Sequence, residues 1–113
     1  MRLSSKAKGR LAVSAPLFAA LGDEVRLGLL LRLCDGGPIS ITQLTEGSRI
    51  TRQAITKHLR VMEGARLVHS VRQGRASVWR LDRQRLEEAR RQLGVISKQW
   101  DEALERLRAF VQE

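Results

Sequence analysis

The last third of the chain carries an apolar repeat that few small folds can accommodate. Leu86, Leu93, Trp100 and Leu107 fall seven residues apart, and Ala89, Ile96, Ala103 and Phe110 form a second row three residues further on in each heptad. That is an a/d seam, the pattern of a helix packed along its length against another helix. A helix of about 30 residues reaches about 45 Å. A chain of 113 residues forms one domain around one core, and such a core is shorter than this helix. The excess seam is therefore expected to bury against a second copy, with Leu86, Leu93, Ile96, Trp100, Leu107 and Phe110 at the contact. The alternative is a helix that folds back onto its own domain. Gly94, in mid-seam, marks a place for a kink or a close crossing.

Charge narrows the partner. The chain has a formal net charge of +9 and an isoelectric point near 11.4, which favours a polyanion such as nucleic acid. A membrane partner is not expected, because each apolar helix face is needed for packing and no apolar run reaches the roughly 18 residues of a spanning helix. The N-terminus also lacks the apolar core of a secretory signal. Cys34 is the one cysteine, so neither an internal disulfide nor a multi-cysteine metal cluster can form, and a reducing cytoplasm is the expected setting. It reads as a small buried hydrophobe at a helix end. No paired carboxylates in an apolar setting, nucleophile motif, phosphate-cradling loop or ligand cluster is present, so no enzyme activity, cofactor or metal is expected.

The stretch Thr51 to Met62 is where a polyanion fits. Ala54, Ile55, Leu59 and Met62 form a stripe at helical spacing. The opposite face carries Thr51, Arg52, Gln53, Thr56, Lys57 and Arg60, with no acid. Such a helix suits the major groove, where these side chains reach base edges and phosphates; a solvated amphipathic helix would show the same periodicity.

Its neighbours complete a pattern. Residues 1–13 read as a basic flexible arm. From Ser14, with Pro16 in the first turn, a short helix would bury Leu17, Phe18 and Leu21. Asp23 is placed to cap a second helix over 24–35 whose apolar residues cover most of its circumference, which implies burial on all sides. After the Gly36-Gly37-Pro38 break, Ser40 and Gln43 are spaced as a capping box for a two-turn helix with Ile41 and Leu44 inward. Gly47 sits where a positive backbone angle is convenient before the next helix. Two helices joined so tightly make a helix-turn-helix. Beyond Met62 the period becomes alternating: Leu67, Val68, Val71 and Val78, Trp79, Leu81 flank Arg72-Gln73-Gly74-Arg75, the turn of a basic β-hairpin. That hairpin either lies along DNA as a wing or only keeps a small sheet soluble. The expected fold is mainly α with one small hairpin, in the order α-α-α-α-β-β-α: a winged helix-turn-helix over 14–81 and a dimerisation helix over 82–113.

This order resembles the ArsR/SmtB-type winged-helix repressors of bacteria, from ALGDEVRLGLLLRL through SITQLTEGSRITRQAITKHLRVMEGARLVHSVRQGRASVWRL to the last helix. The resemblance implies that ITRQAITKHLRVM is the recognition helix, with Thr51, Arg52, Gln53, Thr56, Lys57 and His58 facing DNA, and that Ser40, Thr42 and Gln43 touch phosphates. It makes RQGRASVWRL the wing, so Arg72 and Arg75 would grip the DNA backbone. It also implies a homodimer, with the Leu17 and Phe18 helix packed beside the terminal helices. The departures are specific. Ser40, Ile41 and Thr42 stand where many members carry a metal-binding Cys-x-Cys segment, and hydroxyls are poor ligands for a thiophilic ion. The last helix has no histidine for an interhelical zinc site. Arg66 replaces a usual glycine and must avoid or adopt a left-handed conformation, and Glu24 replaces a usual proline. His58 has two roles open to it, a phosphate contact or an internal polar contact beneath the helix.

The function expected from this reading is promoter occlusion by a homodimeric repressor bound to an inverted repeat in double-stranded DNA. The other open class is a winged-helix module that contacts protein or RNA. A small-molecule effector, if there is one, is expected in a pocket between the terminal helices beside Trp100.

Overall fold

The computed structural model describes residues 4–112. Eight elements follow one another: α1 (Ser5–Leu21), α2 (Glu24–Gly36), β1 (Ile39–Ser40), α3 (Ile41–Thr45), α4 (Arg52–Gly64), β2 (Val68–Gln73), β3 (Ala76–Leu81) and α5 (Arg83–Gln112). The order of helices and hairpin is the one expected, with β1 added. The chain is a winged helix-turn-helix.

Local chemistry explains most boundaries. Asp23 caps α2 by accepting from the Arg26 backbone N–H at 3.0 Å. The Ser40/Gln43 capping box forms: the Gln43 N–H donates to Ser40 Oγ and the Ser40 N–H to Gln43 Oε1, both at 3.1 Å. Thr51 caps α4 through the Ala54 N–H, and Gly47 takes a φ of +70° in the turn before it. The hairpin turn narrows to Gly74-Arg75, since Gln73 already pairs with Ala76. Gly74 has a φ of +60°, the positive first central residue of a type II′ turn.

The sheet order is β1-β3-β2, all antiparallel, with Ile39 opposite Trp79 and Val68 opposite Leu81. The core lies where α1 to α4 meet the inner face of this sheet. Leu17, Leu33, Leu44, Ile55, Leu59, Met62 and Leu67 are its fully enclosed side chains. Each such side chain contributes roughly 1.5–3 kcal/mol of burial, so the three that α4 supplies fix its roll angle and hence its outward face.

Several expectations are corrected. Helix α1 starts at Ser5, so most of the expected arm is helical and Ser14 is buried mid-helix instead of capping; residues 1–3 lie outside the described residues. Leu17, expected at the dimer contact, is wholly enclosed in the chain's own core, and Phe18 and Leu86 pack half-buried against that core. Helix α2 is not covered on all sides: Leu27 and Leu31 are exposed, and so is Cys34.

Only the start of α5 folds onto its own domain. Arg85, 5% exposed, donates to the Val13 carbonyl of α1 at 2.7 Å and to the Ala65 carbonyl at the end of α4 at 3.2 Å, and pairs with Glu88 at 3.1 Å. Ala89 is buried beside it, while Leu93, Ile96, Trp100, Leu107 and Phe110 all stand exposed. This projecting half gives the chain its 65 × 30 × 20 Å extents.

Candidate nucleic-acid interface

Once Ile55, Leu59 and Met62 are turned into the core, the other side of α4 points outward. Arg52, Gln53, Thr56 and Lys57 together line one open groove on that side. Arg52, Gln53 and Lys57 are exposed, and no carboxylate lines the groove. Thr56 uses its hydroxyl proton on the Arg52 carbonyl at 2.8 Å, which leaves its oxygen to accept. Thr51 is exposed, with its oxygen engaged as the helix cap.

The preceding helix is held to α2 by Arg32, whose guanidinium donates to the Leu44 carbonyl at 2.8 Å and the Gln43 carbonyl at 3.1 Å. These bonds satisfy the last carbonyls of α3 and hold it against α2. On α3, Thr42 is exposed and unbonded through its side chain, whereas Ser40 and Gln43 are occupied with each other in the cap. Arg72 and Arg75 are exposed on the hairpin, beside and at its tip.

Two expected contacts sit differently. Arg60 pairs with Glu63 at 2.8 Å and lies over the Trp79 ring at 5.4 Å, tying α4 to the hairpin; this cation–π contact competes with a reach toward DNA. His58 turns inward. Its Nδ1 lies 3.3 Å from an Arg26 guanidinium nitrogen and 3.8 Å from Asp23 Oδ2. A guanidinium only donates, so Nδ1 accepts and the ring proton sits on Nε2. Arg26 also donates to the Ala20 carbonyl. Of the two roles open to His58, the structure selects the internal polar contact. The Arg26 backbone N–H, helped by the Arg26 guanidinium charge, holds the Asp23 carboxyl below its ordinary range against a smaller opposing effect of burial.

A model of the helix-turn-helix domain family matches residues 21–71. An ArsR-like transcriptional regulator from Rhodococcus sp. RHA1 superposes with a TM-score of 0.74 at 34% identity, over 90% of this chain and 95% of that one. The chain belongs to the ArsR family of transcriptional regulators. Two Bacillus subtilis proteins agree with this family assignment. An uncharacterized HTH-type transcriptional regulator is 41% identical over 68 residues, covering 55% of this chain and 74% of its own. The arsenical resistance operon repressor is 31% identical over 65 residues, covering 58% and 62%. The protein is accordingly a DNA-binding transcriptional regulator, and no described helix is long and apolar enough to cross a membrane.

For an ArsR-family chain the positioning residues matter as much as the contacts, and sequence reasoning passed over them. Arg85 and Arg32 carry no periodic signal that separates a buried or bonded arginine from a surface one. Arg49, exposed in the turn leading into α4, was also missed. Its only signal is a positive charge two residues ahead of the helix cap. Trp100 stands 66% exposed on the projecting half of α5.

Proposed function

We propose that the protein acts in the cytoplasm as a homodimeric repressor that occludes a promoter by binding an inverted-repeat operator in double-stranded DNA. The observation that carries this reading is the outward face of α4, where Arg52, Gln53, Thr56 and Lys57 share one acid-free groove. Arg52, Gln53 and Lys57 discriminate bases, each good bidentate contact being worth roughly 1–3 kcal/mol. Thr51 and Thr42 add phosphate contacts, and Arg72 and Arg75 add salt-sensitive, sequence-blind affinity from the wing. The exposed seam of α5 supports pairing of two copies. A two-fold pair sets its recognition helices about one DNA turn, or a multiple of it, apart, so the operator is an inverted repeat. Repression is the activity named for the arsenical relative. With Ser40, Ile41 and Thr42 in place of thiols, operator binding does not respond to metal.

The test is a titration of the purified protein against the DNA upstream of its own gene at about 150 mM salt, with excess scrambled duplex, then with zinc and with a chelator. Specific binding indifferent to both additions is the expected result. Equal competition by scrambled duplex would reject the reading and recast the winged helix as a contact module for protein or RNA.

A further inference from the structure

Helices α1 and α5 leave between them an open groove of about 620 Å³, within the range of small-molecule sites. No residue of α4 or of the wing lines it. Lys6 and Arg10 enter from α1 and Arg91 from α5, over an apolar floor that includes Val13 and Val95. Among the described residues no carboxylate lies within ion-pair distance of those three cations. Glu88, the one acid lining the groove, is already paired with the buried Arg85.

Unneutralised cations above exposed apolar side chains select a particular ligand class. An inorganic anion would leave Val13 and Val95 in water, and a neutral apolar molecule would leave the cations unanswered. We propose that this groove binds a small organic anion, a carboxylate on an apolar body, as the effector of the regulator. The carboxylate accepts from Arg10 and Arg91, a charge-assisted and bidentate-capable arrangement. Its apolar body covers Val13 and Val95. Ser14, buried and at the edge of the groove, offers a hydroxyl.

The groove is wired to the recognition helix. The carbonyl of Val13, a groove residue, accepts from Arg85, whose Nε donates to the Ala65 carbonyl at the end of α4. A ligand seated against Val13 shifts α1 relative to α5, and the same guanidinium transmits that shift to α4. This regulatory consequence rests on the DNA-binding reading above; the ligand site itself does not.

Calorimetry on the full chain with 2-naphthoate, the neutral 2-naphthamide and an Arg10→Gln/Arg91→Gln variant tests the site without DNA. Naphthoate is expected to bind, with the amide, and the variant toward naphthoate, each weaker by about tenfold or more. Thermal melting and sedimentation of the variant should match the parent. No binding of naphthoate, equal binding of both probes, or a variant that binds as the parent does would overturn the site. So would a variant that loses its self-association, since the groove would then belong to the contact between copies. Operator binding is read separately. Naphthoate should change it in the parent and not in the variant, and an operator response equal in both would overturn the effector role. Arginine-dependent naphthoate binding by a protein with no sequence-specific DNA binding would leave the site standing and remove the repressor reading instead.

Discussion

At the end of α4 the chain takes a left-handed residue where no glycine is available: Arg66 has a φ of +63°. The reason is the bonding around it. The Leu67 N–H donates to the Met62 carbonyl and the Arg66 N–H to the Glu63 carbonyl, both at 2.9 Å, which is the Schellman pattern that satisfies a helix's last carbonyls. An L-residue in this conformation costs roughly 1–2 kcal/mol, and glycine returns about 0.5–1 of that through its freer unfolded chain. Arg66→Gly should therefore raise the urea midpoint by an amount equivalent to about 0.5–1 kcal/mol with an unchanged slope. A lower midpoint would mean that the arginine side chain contributes more than its backbone loses. Asp23 supports a prediction in pH. Its carboxyl is held below its ordinary value by the Arg26 N–H it accepts. The stability it adds is thus complete above the unfolded-state pKa near 4 and disappears as pH falls through the lower folded value. Asp23→Asn keeps a capping oxygen at every pH, so its melting temperature should decline less steeply with acid than the parent's below about pH 4. Parallel declines would show that the cap is not what titrates.

Among the elements, α4 and the hairpin divide the proposed work of DNA binding by chemistry. The α4 groove offers donors and acceptors of fixed geometry, and the wing offers charge at a turn. Replacing Arg72 and Arg75 together by alanine should weaken binding to every duplex alike. The slope of log affinity against log salt should fall by nearly two, about 0.9 for each phosphate left without its arginine. A variant that keeps its affinity but relaxes its sequence preference would reassign the wing to base reading. What the sequence disclosed about these elements was whatever is written in local spacing. The capping box at Ser40 and Gln43, the positive-φ Gly47, the inward stripe of α4 and the hairpin turn were all legible for that reason. What depends on distant partners was not. The helical stretch before Ser14 reads as a polar arm because Lys6, Lys8 and Arg10 dominate it, and it is α5 alongside that gives it a surface to pack on. Strand β1 is two residues long, too short for alternation to show. Leu27, Leu31 and Cys34 looked buried because apolarity alone does not say whether anything covers a residue. His58 faced DNA only by the resemblance, with an internal contact equally open, and it turns inward because Arg26 and Asp23 lie beneath it.

The whole molecule has an imbalance that its own core does not resolve. From Leu93 to Phe110 the seam projects about 25 Å at the helical rise, and its large side chains touch no core of the same chain. Trp100 and Phe110 are 66% and 76% exposed, and aromatic side chains bury about 150–250 Å² each when covered. With Leu93, Ile96 and Leu107 beside them, the face approaches the roughly 800 Å² per partner of a stable specific interface. Because a two-fold contact uses the same patch on both copies, a charge placed there is met by its own image. If the proposed dimer forms through this seam, Ile96→Asp with Trp100→Asp should therefore leave the protein monomeric in sedimentation. The monomer should keep its helical circular dichroism through the core, since neither side chain packs there. Its affinity for an inverted repeat should fall to that for one half-site, because the second recognition helix is no longer delivered at high effective concentration. A variant that remains dimeric would move the contact away from this seam, and the spacing of the recognition helices would then have to be set by another surface.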